Sequence, residues 1–271
     1  MLDTADLRSF VAQAVLAPSS HNTQPWLFQI QPNSIRVLAD RLRVLPVNDP
    51  FDRELTISCG CAIMTFRVAA AAAGFGCTVT LQRDPEDPDV MADVTFDGPV
   101  EHALAELVPA IPKRHTNRGP VTPAALPSGL IRDLVEAVEA EGAQLHVLED
   151  EALRTQVSAL VAQGDALQWS NPSWRAELAQ WMHPRSTGDG LSMLRLAAPI
   201  ARWVVRLFDL GKSLAKKDRD LAKNAPLLAV LSTDQDTVDD WLTGGQALQR
   251  CLLKAAQAGV QVGYLNQPVE V

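Results

Sequence analysis

Apolar positions recur with a helical period in some stretches of this chain and in short blocks in others, with turn residues between them. Leu7, Phe10, Val11, Ala14 and Val15 share one helix face behind a capping Asp3 or Thr4, and Pro18 stops that helix. Runs 26–30 and 35–39 predict strands. A polar stretch with Pro46, Asp49, Pro50 and Asp52 leads into an Ala-rich helix over 60–73 closed by Gly74, and 78–82 and 90–96 predict two more strands. After a helical segment near 101–107, the prolines and basic residues of 109–120 read as a junction. A second series follows: helix 130–140, strand 144–148, helix 152–163, strand 227–232, and a long helix over 238–258 that ends at Gly259.

The pattern predicts an α+β chain in two unequal halves, 1–108 and 109–271, with a mixed, mostly antiparallel central sheet and the two Ala-rich helices packed at its centre. Those helices are alike: Gly60-Cys61-Ala62-Ile63 leads to Ala69–Ala73, and Gly245-Gln246-Ala247-Leu248 leads to Ala255 and Ala256. Small residues at these spacings let helices approach closely, and either a shared packing habit or a diverged duplication accounts for the likeness. Residues 169–224 match neither half. They hold an amphipathic stretch at 191–210 and then a mixed-charge run at 212–220, and read as a helical insertion that lies over another surface, like a lid.

Composition changes the picture mainly by exclusion. At 47% hydrophobic and 21% charged the chain can bury a substantial core, and its net charge of -8 argues against a nucleic-acid partner. Four cysteines without a CxxC pair need no disulfide framework and fit a cytoplasmic setting. The start, MLDTADLRSF, has Asp3 and Asp6 where a signal peptide has basic residues, and reads as a mature N-terminus. Arg195, Arg202 and Arg206 interrupt the most membrane-like stretch, so no membrane partner is expected.

Two runs carry candidate chemistry. Pro18-Ser19-Ser20-His21-Asn22-Thr23-Gln24-Pro25-Trp26 packs hydroxyls, amides and an imidazole into one loop, a set of neutral donors and acceptors suited to a planar heterocycle, or to an ordinary capped turn. Lys113-Arg114-His115-Thr116-Asn117-Arg118 places Arg114, Thr116 and Arg118 on one side of an extended segment, a credible anion site if it is not a solvated junction. His115 alternates away from Arg114, towards packing.

Together these runs resemble the two FMN-contacting motifs of the nitroreductase family, and the APSxHNTQPW form with a later RHTNR is similar to its fused, mycobacterial Acg-type branch. The resemblance covers essentially the whole chain, including Gly60-Cys61-Ala62 and Leu265-Asn266-Gln267-Pro268. It implies a pseudo-dimer of two fused half-repeats around central helices. Ordinary family members build two flavin sites between two subunits. Here each motif occurs once, which implies one FMN site per chain, in a monomer or homodimer.

The resemblance places Arg114 and Thr116, with His115 beside them, near the ribityl chain and phosphate, and Arg118 near flavin N1 and O2, where a cation stabilises the reduced ring. It brings Pro18, Ser19, Ser20, Asn22 and Gln24 to the isoalloxazine, and Asn266 and Gln267 to where a backbone N–H approaches N5. Further basic phosphate ligands of the family belong to a segment beyond this point. The implied reaction is ping-pong: NAD(P)H, bound transiently over the flavin, delivers hydride to N5, and a nitroaromatic or quinone then takes two electrons. The alternative is an FMN-sequestering protein with a closed lid. Cys59-Gly60-Cys61 lacks metal-ligand spacing, no G-x-S-x-G elbow supports a hydrolase, and no G-x-G-x-x-G or Walker motif appears.

Overall fold

The structure, a computed structural model, describes residues 2–81, 86–121 and 124–271. Helix α1 (Thr4–Ala14) opens on a reciprocal capping box in which Asp3 accepts from the Asp6 N–H at 2.9 Å and Asp6 accepts from the Asp3 N–H at 3.0 Å. Its Leu7, Phe10 and Ala14 face is buried, as the periodicity requires. Strands β1 (Trp26–Gln31) and β2 (Ser34–Ala39), then β3 (Gly76–Leu81) and β4 (Val90–Gly98), form an antiparallel sheet in the order β1-β2-β4-β3. In β2 the alternation is plain: Ile35, Val37 and Ala39 are buried, while Arg36 turns outward to Asp93 of β4 at 2.8 Å. Gln82, expected in β3, lies outside the described residues.

Helix α2 (Arg53–Ala72) separates the β1–β2 and β3–β4 hairpins in sequence and starts at Arg53 rather than at Gly60. The extra turns look polar in sequence because their hydroxyls bond back into the helix: Thr56 Oγ1 donates to the Asp52 carbonyl and Ser58 Oγ to the Glu54 carbonyl, each at 2.7 Å. α2 has a mean hydropathy of 1.6, enough by length and composition to cross a membrane, but 83% of that stretch is buried in this fold.

Past the short α3 (His102–Ala105), the second half runs α4 (Leu130–Glu139), β5 (Gln144–Val147), α5 (Glu151–Ser170), α6 (Pro172–Gln180), α7 (Ala198–Leu207), α8 (Gly211–Asn224), β6 (Ala229–Ser232) and α9 (Val238–Gln257). β5 pairs with β6 in a separate antiparallel hairpin. The single central sheet expected from the pattern is therefore two sheets, one in each half. The reason is the helix layer between them: α2 packs Cys59, Ile63 and Phe66 on the first sheet, and α9 packs Ala247, Cys251 and Ala255 towards α4 and the hairpin.

α2 and α9 run side by side in the same direction. Cys61 Sγ meets the Gly245 carbonyl at 3.1 Å, and Gln249 Nε2 donates to Thr65 Oγ1 at 3.0 Å. They touch at Gly60 and Gly245, where a Cβ on Gly60 would lie 3.0 Å from the Gly245 Cα and collide with the Leu242 carbonyl. The insertion is tied to the first half. Trp174 Nε1 donates to Asn48 Oδ1 at 2.8 Å, and the Glu177 carboxylate accepts the Val47 and Asn48 N–H groups, each at 2.9 Å.

Candidate functional site

The loop after α1 is strained in one place. His21, Asn22 and Gln24 hold φ of 50°, 56° and 53°, a left-handed region that costs a non-glycine residue about 1–2 kcal/mol. Local bonds fix it there: Asn22 N–H to the Ser19 carbonyl, Thr23 N–H to the Ser20 carbonyl and Gln24 N–H to Ser19 Oγ, each at 2.9 Å. Pro18, Thr23 and Trp26 root the loop in the core, and Cys59 Sγ reaches the Pro25 carbonyl at 3.6 Å. Strain kept by so many bonds is characteristic of a segment that presents groups to a ligand.

The basic run leaves a 3-10 turn, Val108–Lys113, and lies along residues 261–263. Thr116 bridges Val262, the Asn117 N–H donates to the Val262 carbonyl at 2.9 Å, and the His115 N–H donates to Gln261 Oε1 at 3.1 Å. His115 itself is exposed. Arg114 crosses to the end of α1, donating through Nη2 to the Leu16 carbonyl at 3.3 Å, while its buried Nε has no partner. Arg118 has no hydrogen bond or ion pair to a carboxylate among the described residues, and partial exclusion of water lowers its proton affinity.

His21 joins the two runs electrostatically. Burial lowers its pKa to about 4; Glu54 opposes the shift and the Arg118 charge adds to it. Glu54, at the start of α2, also accepts from Asn48 Nδ2 at 3.2 Å and Asn266 Nδ2 at 3.4 Å. Burial first, and then the Glu54 charge, holds the Glu270 carboxyl protonated well above the usual range. His21, Arg118 and Asn266 thus meet around Glu54, while Arg114 reaches the chain just past α1 at Leu16. Gln267 instead turns away, donating from Nε2 to Asp165 Oδ1 at 3.2 Å and Asp218 Oδ2 at 3.1 Å.

A second segment covers the loop. The Asn22 amide donates to the Gly190 carbonyl at 3.2 Å, the Gly190 N–H returns to the Asn22 carbonyl at 2.9 Å, and the Gln24 amide donates to the Gly188 carbonyl at 2.8 Å. Between those glycines, Asp189 takes Arg43 Nη1 at 2.9 Å and His183 Nδ1 at 2.8 Å. Burial works against the Asp189 charge, yet these two partners hold its carboxyl below the usual range. Arg43, His183, Asp189 and Glu54 carry no sequence motif; only the long-range fold brings them to the loop.

The donor set suits a planar anionic cofactor at its cationic end, since Arg114 and Arg118 offer guanidinium groups that no carboxylate occupies among the described residues. At the neutral end, the Asn22 and Gln24 amides already hold backbone carbonyls. Cys59 and Cys61 are interior packing groups whose thiols burial pushes up to about 12.

No family model matches the chain. It is similar to a Mycobacterium tuberculosis protein named "Putative NAD(P)H nitroreductase acg", 30% identical over all of this chain and 83% of that protein. An uncharacterised protein of the same organism is 30% identical over 97% of the chain and 79% of its own length. A Serratia protein named "Probable NAD(P)H nitroreductase PigM" is 22% identical over 97% of the chain and 80% of its own length.

Proposed function

The chain belongs to the nitroreductase family, as an Acg-like member, and from that premise we propose that it is an FMN-dependent NAD(P)H oxidoreductase with one flavin site per chain. The observation that carries this reading is the approach of the basic run to the strained Ser19–Gln24 loop, with the Arg118 charge acting on His21 and Arg114 bonded to the Leu16 carbonyl just ahead of that loop. Bound FMN would supply a hydride acceptor at N5, which takes two electrons from NAD(P)H and returns them to an electron-poor acceptor such as a nitroaromatic or quinone.

The chain's own groups bind and orient. Arg114, with Thr116 and His115 beside it, would hold the phosphate and ribityl end. Arg118 would sit against the N1 and O2 side, where its fixed charge favours the reduced, anionic ring. His21, neutral above about pH 4, adds no second charge beside it. Pro18, Ser19, Ser20, Asn22 and Gln24 would line the ring edge, and the backbone at Asn266 and Gln267 would approach N5. The two halves, 1–108 and 109–271, would be fused equivalents of the two subunits of an ordinary family member, with 169–224 inserted in the second.

One observation favours the second reading, a protein that sequesters FMN under a lid: Gly188 and Gly190 occupy the amides of Asn22 and Gln24. The experiment separates the two. Purified protein loaded with FMN is mixed anaerobically with NADPH or NADH while the flavin absorbance is followed. The reductase reading expects bleaching that a nitroaromatic or quinone reverses, and Arg118→Ala should slow reduction and lower the flavin potential. Flavin that is bound but not bleached, and that Asp189→Asn makes reducible, establishes the sequestering reading. Failure to bind FMN at all overturns both.

A further inference from the structure

The amphipathic segment of the insertion does not bury its apolar side. Helix α7 packs Val205 into a cluster with Trp169, Trp174 and Ala179, and Ala198 at its start is buried as well. Most of the other large apolar side chains over 194–208 stay in solvent: Leu194 is 71% exposed, Leu196 88%, Ile200 67% and Trp203 59%, and Leu207 and Phe208 are about half exposed. Ile200, Trp203 and Leu207 follow at helical spacing and form one stripe, with the Trp203 and Phe208 rings 5.8 Å apart. An exposed patch of this size marks an interaction surface rather than the scatter of single apolar residues found on any protein.

The charge around the stripe says what kind of partner fits. Between 194 and 215 the chain carries Arg195, Arg202, Arg206 and Lys212 against Asp209 alone, within a protein whose net charge is -8. None of those four cations forms an ion pair among the described residues, and Asp209 is engaged in accepting the Gly211 N–H at 2.8 Å. A second copy seated on this face by two-fold symmetry would set these cations against their own images, which disfavours a homodimer here. An anionic partner with an apolar interior has no such conflict.

We propose that the 194–208 face is a membrane-docking surface for anionic phospholipid, with α7 lying in the plane of the interface. The arginines that bar this stretch from the bilayer centre suit it to the headgroup layer, where long cationic side chains reach phosphates and Trp, Phe and Leu enter the acyl boundary. Ten residues of α7 span about 15 Å, half of the roughly 30 Å hydrocarbon core, so the helix lies on a bilayer and does not cross it. The surface is independent of the flavin reading, because none of its residues touches the Ser19–Gln24 loop through a hydrogen bond.

The test uses the full chain in vesicle flotation. Vesicles of equimolar phosphatidylglycerol and phosphatidylcholine should carry the protein up the gradient at about 0.1 M salt, and vesicles of phosphatidylcholine alone should carry at least tenfold less. Ile200→Ser with Trp203→Ser, and separately Arg195→Glu with Arg206→Glu, should each reduce the bound fraction about tenfold; all four positions are solvent-exposed, and an unchanged melting temperature shows that the fold is intact. No flotation with the anionic vesicles, or equal flotation of the variants, overturns the proposal. A concentration-dependent dimer that Trp203→Ser dissolves, without vesicle binding, also overturns it and assigns the face to a second copy.

Discussion

At the scale of single residues, two buried titratable groups pull stability in opposite directions with pH. His21 has a pKa of about 4 in the fold against an ordinary 6.5, so the unfolded chain binds the proton more tightly. Its contribution is fully present above pH 6.5 and is lost as pH falls towards 4, by at most about 3 kcal/mol. Asp165 is the reverse case. Burial, followed by the Asp218 charge, raises it to about 6 from 3.8, so folding takes up a proton; that contribution is present below pH 3.8 and lost as pH rises through 6. His21→Asn keeps a residue that tolerates the left-handed backbone and should flatten the loss of stability between pH 6.5 and 4.5. Asp165→Asn keeps an oxygen for Gln267 and should raise the melting temperature at pH 8 by several degrees, at about 2–4 °C per kcal/mol, with about half of that gain left at pH 5 and little near pH 4. Thermal melts of the three proteins across that range decide both expectations, and parallel curves would show that neither environment perturbs its group.

At the scale of elements, the α2–α9 crossing depends on one pair of glycines and is indifferent to the neighbouring one. A Cβ on Gly245 would collide with the Ile57 carbonyl and lie 2.9 Å from the Gly60 Cα, so the helices must separate to admit it. A Cβ on Gly244 would find only the Thr233 methyl at 3.6 Å and a Leu231 methyl at 3.9 Å, ordinary contacts. Gly245→Ala should cost about 3 kcal/mol or more, in the range of core overpacking, whereas Gly244→Ala should be neutral or stabilise by up to about 1 kcal/mol through helix propensity. Chemical denaturation of both variants checks the contrast. Elements whose signal is local were legible in the sequence: the Asp3 cap, the β2 alternation and the Ala-rich faces of α2 and α9. The first turns of α2 were hidden because Thr56 and Ser58 satisfy their hydroxyls inside the helix. The far end of α5 was hidden because Gly164, Asp165 and Gln168 are buried there, with Gln168 donating to Glu270 at 2.6 Å. In the candidate site the two runs were legible by composition. Arg43, Glu54 and Asp189 were not, since the bonds that gather them span 146 positions of sequence for Arg43 with Asp189 and 212 for Glu54 with Asn266.

At the scale of the whole molecule, the two halves offer two helix ends but only one set of cations. α2 and α9 begin at the same end of their shared crossing, so a chain that kept both sites of a symmetric ancestor would place one near each N-terminus. Near the start of α2 lie Asn266, His21 and, next to His21, the Arg118 charge. At the start of α9 the sequence instead has Asp234, Asp236, Asp239 and Asp240; Asp240 closes a capping box with Thr237, and Asp236 takes Arg53 at 3.0 Å. Carboxylates crowd the start of α2 as well, in Asp49, Asp52 and Glu54, so charge alone does not choose between the ends; what the α9 end lacks among the described residues is a counterpart of the Ser19–Gln24 loop. The chain should therefore bind one FMN, not two. Cofactor released by heat from the loaded protein, counted against protein by amino-acid analysis, should give a ratio near one. Arg114→Ala should lower that ratio by weakening retention, whereas Asp236→Asn at the α9 end should leave it unchanged. A ratio near two in the unmodified protein, or loss of flavin from Asp236→Asn with retention in Arg114→Ala, would place the cofactor at the α9 end and overturn the single-site reading.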